Sequence, residues 1–153
     1  MSRGTCYGIM QSIDDALSFD PYSIMDLAGN EFDYVGEDNS PDDIEYLVSW
    51  LKNNGANVFV SLVDGEQVFS FEMTEDIKRN CFRSQYEEFK KMAEAITLDE
   101  FALKDPYKLR QLVEDPFSDA VYSYSMGFQP IDRWLRESGV GITYYFARAF
   151  LIH

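Results

Sequence analysis

The sequence predicts a single globular α+β domain over residues 1–153, in which an antiparallel or mixed sheet is packed by several helices. Three observations predict this class: short segments with alternating apolar residues, a hairpin over about residues 57–73, and helical periodicity in the segments between strands. Twelve Phe, ten Tyr and two Trp supply large apolar side chains for one core. We find no linker that would divide the chain.

Five segments have the alternation or the apolar composition that is typical of strands. They are Thr5–Met10, Asn57–Val63, Gln67–Met73, Ala120–Met126 and Ile142–Ile152. The second and third flank the short loop Asp64-Gly65-Glu66, and two β-rich runs around an Asp-Gly loop predict a hairpin. The fourth is predicted to be half exposed. The fifth is apolar on both faces apart from one arginine, which predicts a central strand.

Helix starts are indicated by capping residues and by proline at the first helical position. They fall at Ser12, Ser40, Thr74, Thr97, Asp105-Pro106 and Pro130. After Ser40, apolar residues recur at i, i+3, i+4 and i+7 from Ile44 to Leu51, which predicts a stripe facing the core. After Thr74, apolar residues from Phe82 to Ile96 are predicted to form one continuous face of a long helix.

Negative charge is concentrated in the first half of the chain. The net charge is −14, and residues 1–66 hold thirteen acids and two bases whereas residues 67–153 hold fourteen acids and eleven bases. Between Gly4 and Leu51 there is no Lys or Arg at all. Eleven acids lie in that stretch: Asp14, Asp15, Asp20, Asp26, Glu31, Asp33, Glu37, Asp38, Asp42, Asp43 and Glu45. Such asymmetry indicates an acidic interaction surface.

Several classes of function are disfavoured by the composition. Direct nucleic-acid binding needs a basic footprint, which this chain lacks. Its apolar runs fall short of the roughly 20 residues of a membrane span, and no signal-peptide pattern is present, so we expect a cytoplasmic protein without membrane contact. The single histidine is the last residue, His153, and Cys6 and Cys81 lack zinc-ligand spacing. We therefore expect no catalytic residues, no metal and no cofactor.

A calcium loop between Asp26 and Glu37 is rejected for a specific reason. The two acids have the spacing of positions 1 and 12, but Ala28 stands where a ligand belongs. Glu31 also replaces the glycine that the sixth position of such a loop requires.

Local structure accounts for some of the acids but not for all of them. Asp14, Asp15, Asp42 and Asp43 fall in predicted first turns of helices, where the helix dipole favours negative charge. Asp20 precedes a proline, and among the remaining acids the candidate partner-binding surface is a short run with one acid just beyond it: Glu31, Asp33, Glu37, Asp38 and Glu45. On a strand, alternate acids repeat every ~6.6 Å, against about 3.4 Å per phosphate on a nucleic-acid strand. A nucleic-acid mimic therefore needs a second row, either from Asp14, Asp15 and Asp20 or from Asp42, Asp43 and Glu45.

The leading hypothesis is an acidic inhibitor that docks on a basic, nucleic-acid-binding surface of another protein. Its concrete form is a DNA or RNA mimic of phage or mobile-element origin that blocks a defence nuclease. An immunity protein that neutralises a basic nuclease toxin is the first alternative. A carboxylate-based enzyme or small-ligand domain is the second, with an aromatic pocket formed from four tyrosines: Tyr122, Tyr124, Tyr144 and Tyr145. Arg148 is expected either to pair with a buried acid or to lie near the exposed end of its strand.

Overall fold

The computed structural model describes residues 4–20, 36, 38–114 and 119–152. In these residues the strands are β1 (Gly4–Met10), β2 (Phe59–Val63), β3 (Glu66–Glu72), β4 (Ala120–Ser123), β5 (Gly127–Pro130) and β6 (Thr143–Ile152). The helices are α1 (Ile13–Ser18), α2 (Pro41–Asn53), α3 (Glu75–Ala95), α4 (Leu98–Leu103), α5 (Tyr107–Glu114) and α6 (Ile131–Glu137).

The strands form one mixed sheet in the order β2-β3-β6-β1-β4-β5. β1 is parallel to β4 and antiparallel to β6, and the other neighbouring strands are antiparallel. The predicted α+β class is therefore confirmed, and the sheet is mixed. β6 lies third in the sheet and most of its residues are buried, as its apolar composition on both faces predicts.

Both faces of the sheet carry helices. Tyr7 and Ile9 of β1 point to one face, where they pack with α2, α6 and the first turn of α3. Cys6 and Met10 point to the other face, where Ala16 of α1 is buried. Successive residues of a strand point to opposite sides of a sheet, so α1 and α2 lie on opposite faces.

The predicted hairpin is confirmed, with a shorter loop than the sequence indicates. Val63 of β2 pairs with Glu66 of β3, so Glu66 is the first residue of the strand and only Asp64 and Gly65 form the turn. Their φ angles are 52° and 80°. Two successive positive φ values define a type I′ turn, whose twist matches that of the flanking strands.

The capping residues start helices as predicted. The side-chain hydroxyls of Ser12, Thr74 and Thr97 each accept a backbone N–H in the first turn, at 3.1 Å in every case. Ser40 differs, because its side chain makes no capping hydrogen bond. Its backbone N–H instead donates to the carbonyl oxygen of Ala149 in β6, at 3.0 Å. Ser40 therefore anchors the start of α2 to the sheet.

The segment after Asp119 differs from the prediction. The strand predicted over Ala120–Met126 ends at Ser123, and all four residues of β4 are buried rather than half exposed. The chain then turns, with the Met126 N–H donating to Ser123 Oγ, and Gly127 adopts a positive φ of 73°. Gly127 is also the first of the four residues of β5, which the sequence did not predict because Gly and Pro at its ends weaken any strand pattern.

The apolar face of α3 is not buried along its length. Ile77 in the first turn is buried, whereas Phe82 and Phe89 are half-buried and Tyr86 is 60% exposed. The N-terminal end of α3 packs on the sheet, and α5 contacts the helix farther along. A continuous apolar face in the sequence is therefore only partly covered by the described chain.

Candidate acidic docking surface

Only two of the five predicted site residues lie in the part of the chain that the structure describes. Glu31, Asp33 and Glu37 fall outside the described residues, as do all positions of the rejected calcium loop except Gly36. Asp38 and Glu45 are described, and both are exposed. Asp38 precedes α2, and Glu45 lies on its second turn.

Backbone contacts to the end of β6 fix the segment that carries Asp38. The Gly36 N–H donates to the carbonyl oxygen of Leu151 at 2.7 Å. The Ala149 N–H donates to the Asn39 side-chain oxygen at 3.1 Å. A Cβ on Gly36 would lie 3.2 Å from the Leu151 Cβ, so a glycine suits this close approach. Asp38 is thereby held beside the C-terminal end of the central strand.

α2 adds two exposed carboxylates to this region. Asp42 is in the first turn and Glu45 follows three residues later, so the two side chains are neighbours on the helix surface. We call Asp38, Asp42 and Glu45 the α2 acidic surface. Tyr46, which is 61% exposed, follows Glu45 and lies one turn after Asp42. Sequence reasoning missed Tyr46, although its position outside the apolar stripe of α2 indicates that it points outward.

The acids of α1 belong to a different surface. α1 packs against one face of the sheet, with Ala16 and Phe19 buried there, and α2 packs against the other. Asp14 and Asp15 therefore cannot form a second row beside Asp38 and Glu45. Among the described residues, Asp42 is the acid that extends the predicted set.

Asp43 has a contact that sequence reasoning missed. Its Oδ2 accepts a hydrogen bond from Thr5 Oγ1 at 3.2 Å, and Asp119 Oδ1 accepts the Thr5 backbone N–H at 3.0 Å. Burial raises the pKa of Asp119, the Thr5 N–H opposes that rise, and the nearby Asp43 charge adds to it. Thr5 thus holds two carboxylates that are 76 positions apart in the chain, and no local pattern predicts such a pairing.

The aromatic pocket considered from the sequence is not formed by the four tyrosines. Tyr122 and Tyr144 are buried, with Tyr122 stacked on Phe19 at 5.7 Å between ring centroids and Tyr144 edge-on to Trp134 at 5.2 Å. These contacts are core packing. A cavity of about 470 Å³ lies elsewhere, between α3 and the segment that includes α4 and α5, with Met92, Ile96 and Tyr107 among its lining residues.

The ion pairs that the structure describes involve neither α2 nor the segment that precedes it. They are Arg79–Glu75, Arg79–Asp76, Arg110–Asp105, Arg133–Glu137, Arg136–Asp132 and Arg148–Glu66. All of these residues lie between Glu66 and Arg148. Within the described ranges, no carboxylate of the α2 acidic surface takes part in an ion pair.

Arg148 pairs with an acid, as one of the two alternatives from the sequence predicts, although this acid, Glu66, is only partly buried. Its Nε lies 2.9 Å from Glu66 Oε1 and its Nη2 lies 3.0 Å from Glu66 Oε2. Asp20 lies near enough for its charge to raise the pKa of Arg148, although less than the hydrogen bond to Glu66 does. Asp20 is thus unlike the α2 acids, since it faces a base.

Potential metal ligands are dispersed in the described part of the chain, and its two cysteine thiols are affected by burial. No three His, Cys, Asp or Glu side chains converge there in a way that could hold a metal ion. Cys6 and Cys81 are free, and burial raises the pKa of both thiols, that of Cys81 to about 12. Likewise, none of the helices in residues 4–20, 38–114 and 119–152 is both long and apolar enough to cross a membrane.

No protein-family model, no curated protein and no solved structure matches this chain. The candidate site therefore depends on its own geometry and charge.

Proposed function

We propose that the protein is a cytoplasmic inhibitor that docks the α2 acidic surface on a basic, nucleic-acid-binding surface of another protein. The observation that carries this proposal is the difference in ion pairing between the bases of the second half of the chain and the acids of the α2 acidic surface. Among the described residues, most Arg side chains in the second half of the chain form ion pairs there, while Asp38, Asp42 and Glu45 are exposed and take part in none. A carboxylate that is not already paired keeps its full attraction for an incoming cation.

The size of that attraction depends on how far the interface excludes water. Two unit charges at 4 Å interact by about 1 kcal/mol in bulk water and about 4 kcal/mol at an effective dielectric constant of 20. Three carboxylates that meet Lys or Arg at a partly desolvated surface can therefore contribute substantially to affinity. They also accelerate association with a basic partner, and this effect falls as salt is added.

Tyr46 supports a docking role beside the acids. Exposed aromatic side chains commonly dominate binding energy, because they bury a large area at low cost in conformational entropy. Tyr46 is 61% exposed and lies next to Glu45 on α2. The combination of an aromatic side chain with a carboxylate rim is suited to a surface that binds protein.

Mimicry of a nucleic acid, aimed at a defence nuclease, is the concrete form of the proposal. Asp42 and Glu45 have the i,i+3 spacing that places Cβ atoms about 5–6 Å apart, against a rise of about 3.4 Å per phosphate on each nucleic-acid strand. The described acids thus supply part of the density of negative charge that a nucleic-acid mimic requires. An immunity protein for a basic nuclease toxin would use the same surface, and identification of the partner distinguishes the two.

An enzyme that uses Asp43 and Asp119 is less well supported. Both carboxylates already accept a hydrogen bond from Thr5. The cavity of about 470 Å³ among the described residues is lined by residues of α3 and the segment after it, and neither Asp43 nor Asp119 is among them.

The test compares two triple charge reversals after the partner has been captured from a host lysate and identified by mass spectrometry. One variant carries Asp38→Lys, Asp42→Lys and Glu45→Lys. The matched control carries Glu87→Lys, Glu88→Lys and Glu94→Lys on the exposed side of α3 and changes the net charge equally. We expect the first to weaken partner binding at least ten-fold, which is about 1.4 kcal/mol, and the control to weaken it far less.

Calorimetric titration at several salt concentrations completes the test. The Kd of the native chain should rise with salt, and the α2 variant should show a weaker salt dependence than the control. Equal loss of affinity in the two variants would mean that only net charge matters, and the proposed surface would then be wrong. The milder changes Asp42→Asn and Glu45→Gln check that the loss is not a consequence of destabilising α2.

A further inference from the structure

The two edges of the sheet are protected to very different degrees. β5 forms one edge, and it is only four residues long and ends in Pro130, two features that discourage pairing with another strand. β2 forms the other edge and has neither proline nor a charged side chain. Unprotected apolar edges are rare in natural sheets because they pair with other chains.

The side chains of β2 are exposed on both faces of the sheet. Val60 and Leu62, which are 55% and 73% exposed, share the face of Phe69 and α2. Phe59, which is 66% exposed, shares the opposite face with Ser61 and Val63. Neither layer of helices covers the edge strand. Apolar side chains exposed together in this way indicate a site of protein contact.

We propose that β2 pairs with β2 of a second copy of this chain, antiparallel, around a two-fold axis at Ser61. The two sheets would then form one continuous sheet. In this register Phe59 of each copy lies opposite Val63 of the other, and Val60 lies opposite Leu62. Directly opposed residues share a face in an antiparallel pair, so each exposed apolar side chain of β2 meets an apolar partner.

A second copy fits this edge because the register places apolar side chains of β2 opposite one another and brings no like charges together. The segment from Ala56 to Val63 has no ionisable side chain, so the pairing brings no like charges into direct opposition. Asp64, which is in the turn, lies opposite Val58 of the other copy. The two Asp64 residues are six positions out of register, about 20 Å apart, which exceeds the screening length of about 8 Å at physiological salt.

The dimer is weak and its affinity increases with salt. Pairing of five-residue strands buries less than the ~1,200 Å² at which standard interfaces begin, so we expect association at high protein concentration. Each copy carries a net charge of −14, and salt screens their mutual repulsion. Docking of the α2 acidic surface on a basic partner has the opposite salt dependence, so failure of either proposal is recognised independently of the other.

The first experiment measures self-association of the full chain by sedimentation velocity over a range of protein and salt concentrations. Leu62→Lys places two lysines about 7–8 Å apart across the two-fold axis, and it should weaken dimerisation at least ten-fold. Leu103→Lys is the matched control, because Leu103 is 79% exposed on α4 and the charge change is identical. It should leave the dimer constant within about two-fold. A native chain that stays monomeric, or an equal effect of both variants, overturns the proposal.

The second experiment tests the register. Ser61→Cys brings two thiols together at the two-fold axis, where opposed Cα atoms are about 4.5–5.5 Å apart and a disulfide is permitted. Asn57→Cys is the control, since in this register the two introduced thiols are about 26 Å apart. Mild oxidation should convert Ser61→Cys to a covalent dimer at least ten times faster than Asn57→Cys or the native chain with its Cys6 and Cys81. Equal rates would exclude this pairing.

Discussion

Removal of the ion pair between Arg148 and Glu66 is expected to weaken the attachment of the hairpin to the central strand. The two side chains meet through two parallel hydrogen bonds of 2.9 Å and 3.0 Å, and Arg148 Nη1 also donates to the carbonyl oxygen of Phe19 at 3.4 Å. Arg148 is in β6, Glu66 begins β3, and Phe19 follows α1. One guanidinium therefore joins three parts of the fold on the α1 face of the sheet.

The expected magnitude lies between the values for exposed and buried pairs. Exposed ion pairs contribute about 0.2–1 kcal/mol, and hydrogen bonds to charged groups contribute about 1.5–3 kcal/mol. The Arg148 and Glu66 side chains are 30% and 35% exposed. Solvent screening therefore lowers the upper value, and we expect a coupling energy of about 1–2 kcal/mol from a double-mutant cycle of Glu66→Gln and Arg148→Met.

Urea denaturation of the four proteins in this cycle measures the coupling, and a second cycle provides the comparison. Glu75 and Arg79 also form a close pair, at 2.7 Å, but their side chains are 67% and 61% exposed. Their cycle of Glu75→Gln and Arg79→Met should give a clearly smaller coupling, because both side chains are well solvated. If the Glu66–Arg148 coupling is no larger than this, the reasoning from burial and paired geometry is refuted.

The same cycle has a defined pH dependence. The hydrogen bond from Arg148 lowers the pKa of Glu66 below its usual range. A carboxyl group whose pKa is lower in the folded state contributes stability above its unfolded pKa, and this contribution is lost as the pH falls through the folded pKa. The coupling energy should therefore be complete at neutral pH and should decline below about pH 4. Coupling that persists unchanged at lower pH would mean that charge is not its source.

Two further predictions concern helix starts and a partly buried acid. Thr74→Ala should lower the free energy of unfolding by about 1 kcal/mol in urea denaturation because it removes a capping hydrogen bond, whereas Ser40→Ala should cost clearly less because the Ser40 side chain makes none. Equal losses would contradict this assignment of the caps. Burial raises the pKa of Asp119, so its contribution to stability is present at low pH and is lost as the pH rises through the folded pKa. The stability of the native chain relative to Asp119→Asn should therefore fall as the pH rises above about 3.9, the ordinary pKa of an aspartate, and a constant difference would contradict the raised pKa.

Features that depend on nearby residues could be predicted from the sequence. Capping residues such as Ser12 and Thr74 act within one helical turn, and the Asp64-Gly65 turn determines its own hairpin. Both kinds of element have the predicted positions within a few residues. β5 was not predicted, because its four residues become a strand only by pairing with β4.

Features that depend on strand order could not be predicted. Phe59, Val60 and Leu62 have the composition of a core strand, yet β2 lies at the edge of the sheet and all three side chains are exposed. Asp43 and Asp119 are likewise brought together only because α2 begins beside Thr5, at the start of β1. Hydrophobicity gives the preference of a residue for burial, whereas the neighbours that bury it are determined by topology.

The geometry of the proposed dimer has a consequence for docking. A two-fold axis between antiparallel edge strands is perpendicular to the sheet, so both copies of α2 lie on the same side of the extended sheet. A dimer would therefore present two α2 acidic surfaces in one direction, and a partner with two basic sites at matching separation would be bound with a higher effective affinity. Salt strengthens pairing of the β2 strands and weakens docking of the acids. Bivalent binding is therefore expected to be strongest at an intermediate salt concentration. The Leu62→Lys variant is impaired in forming the dimer, so its affinity for the partner should fall steadily as salt increases.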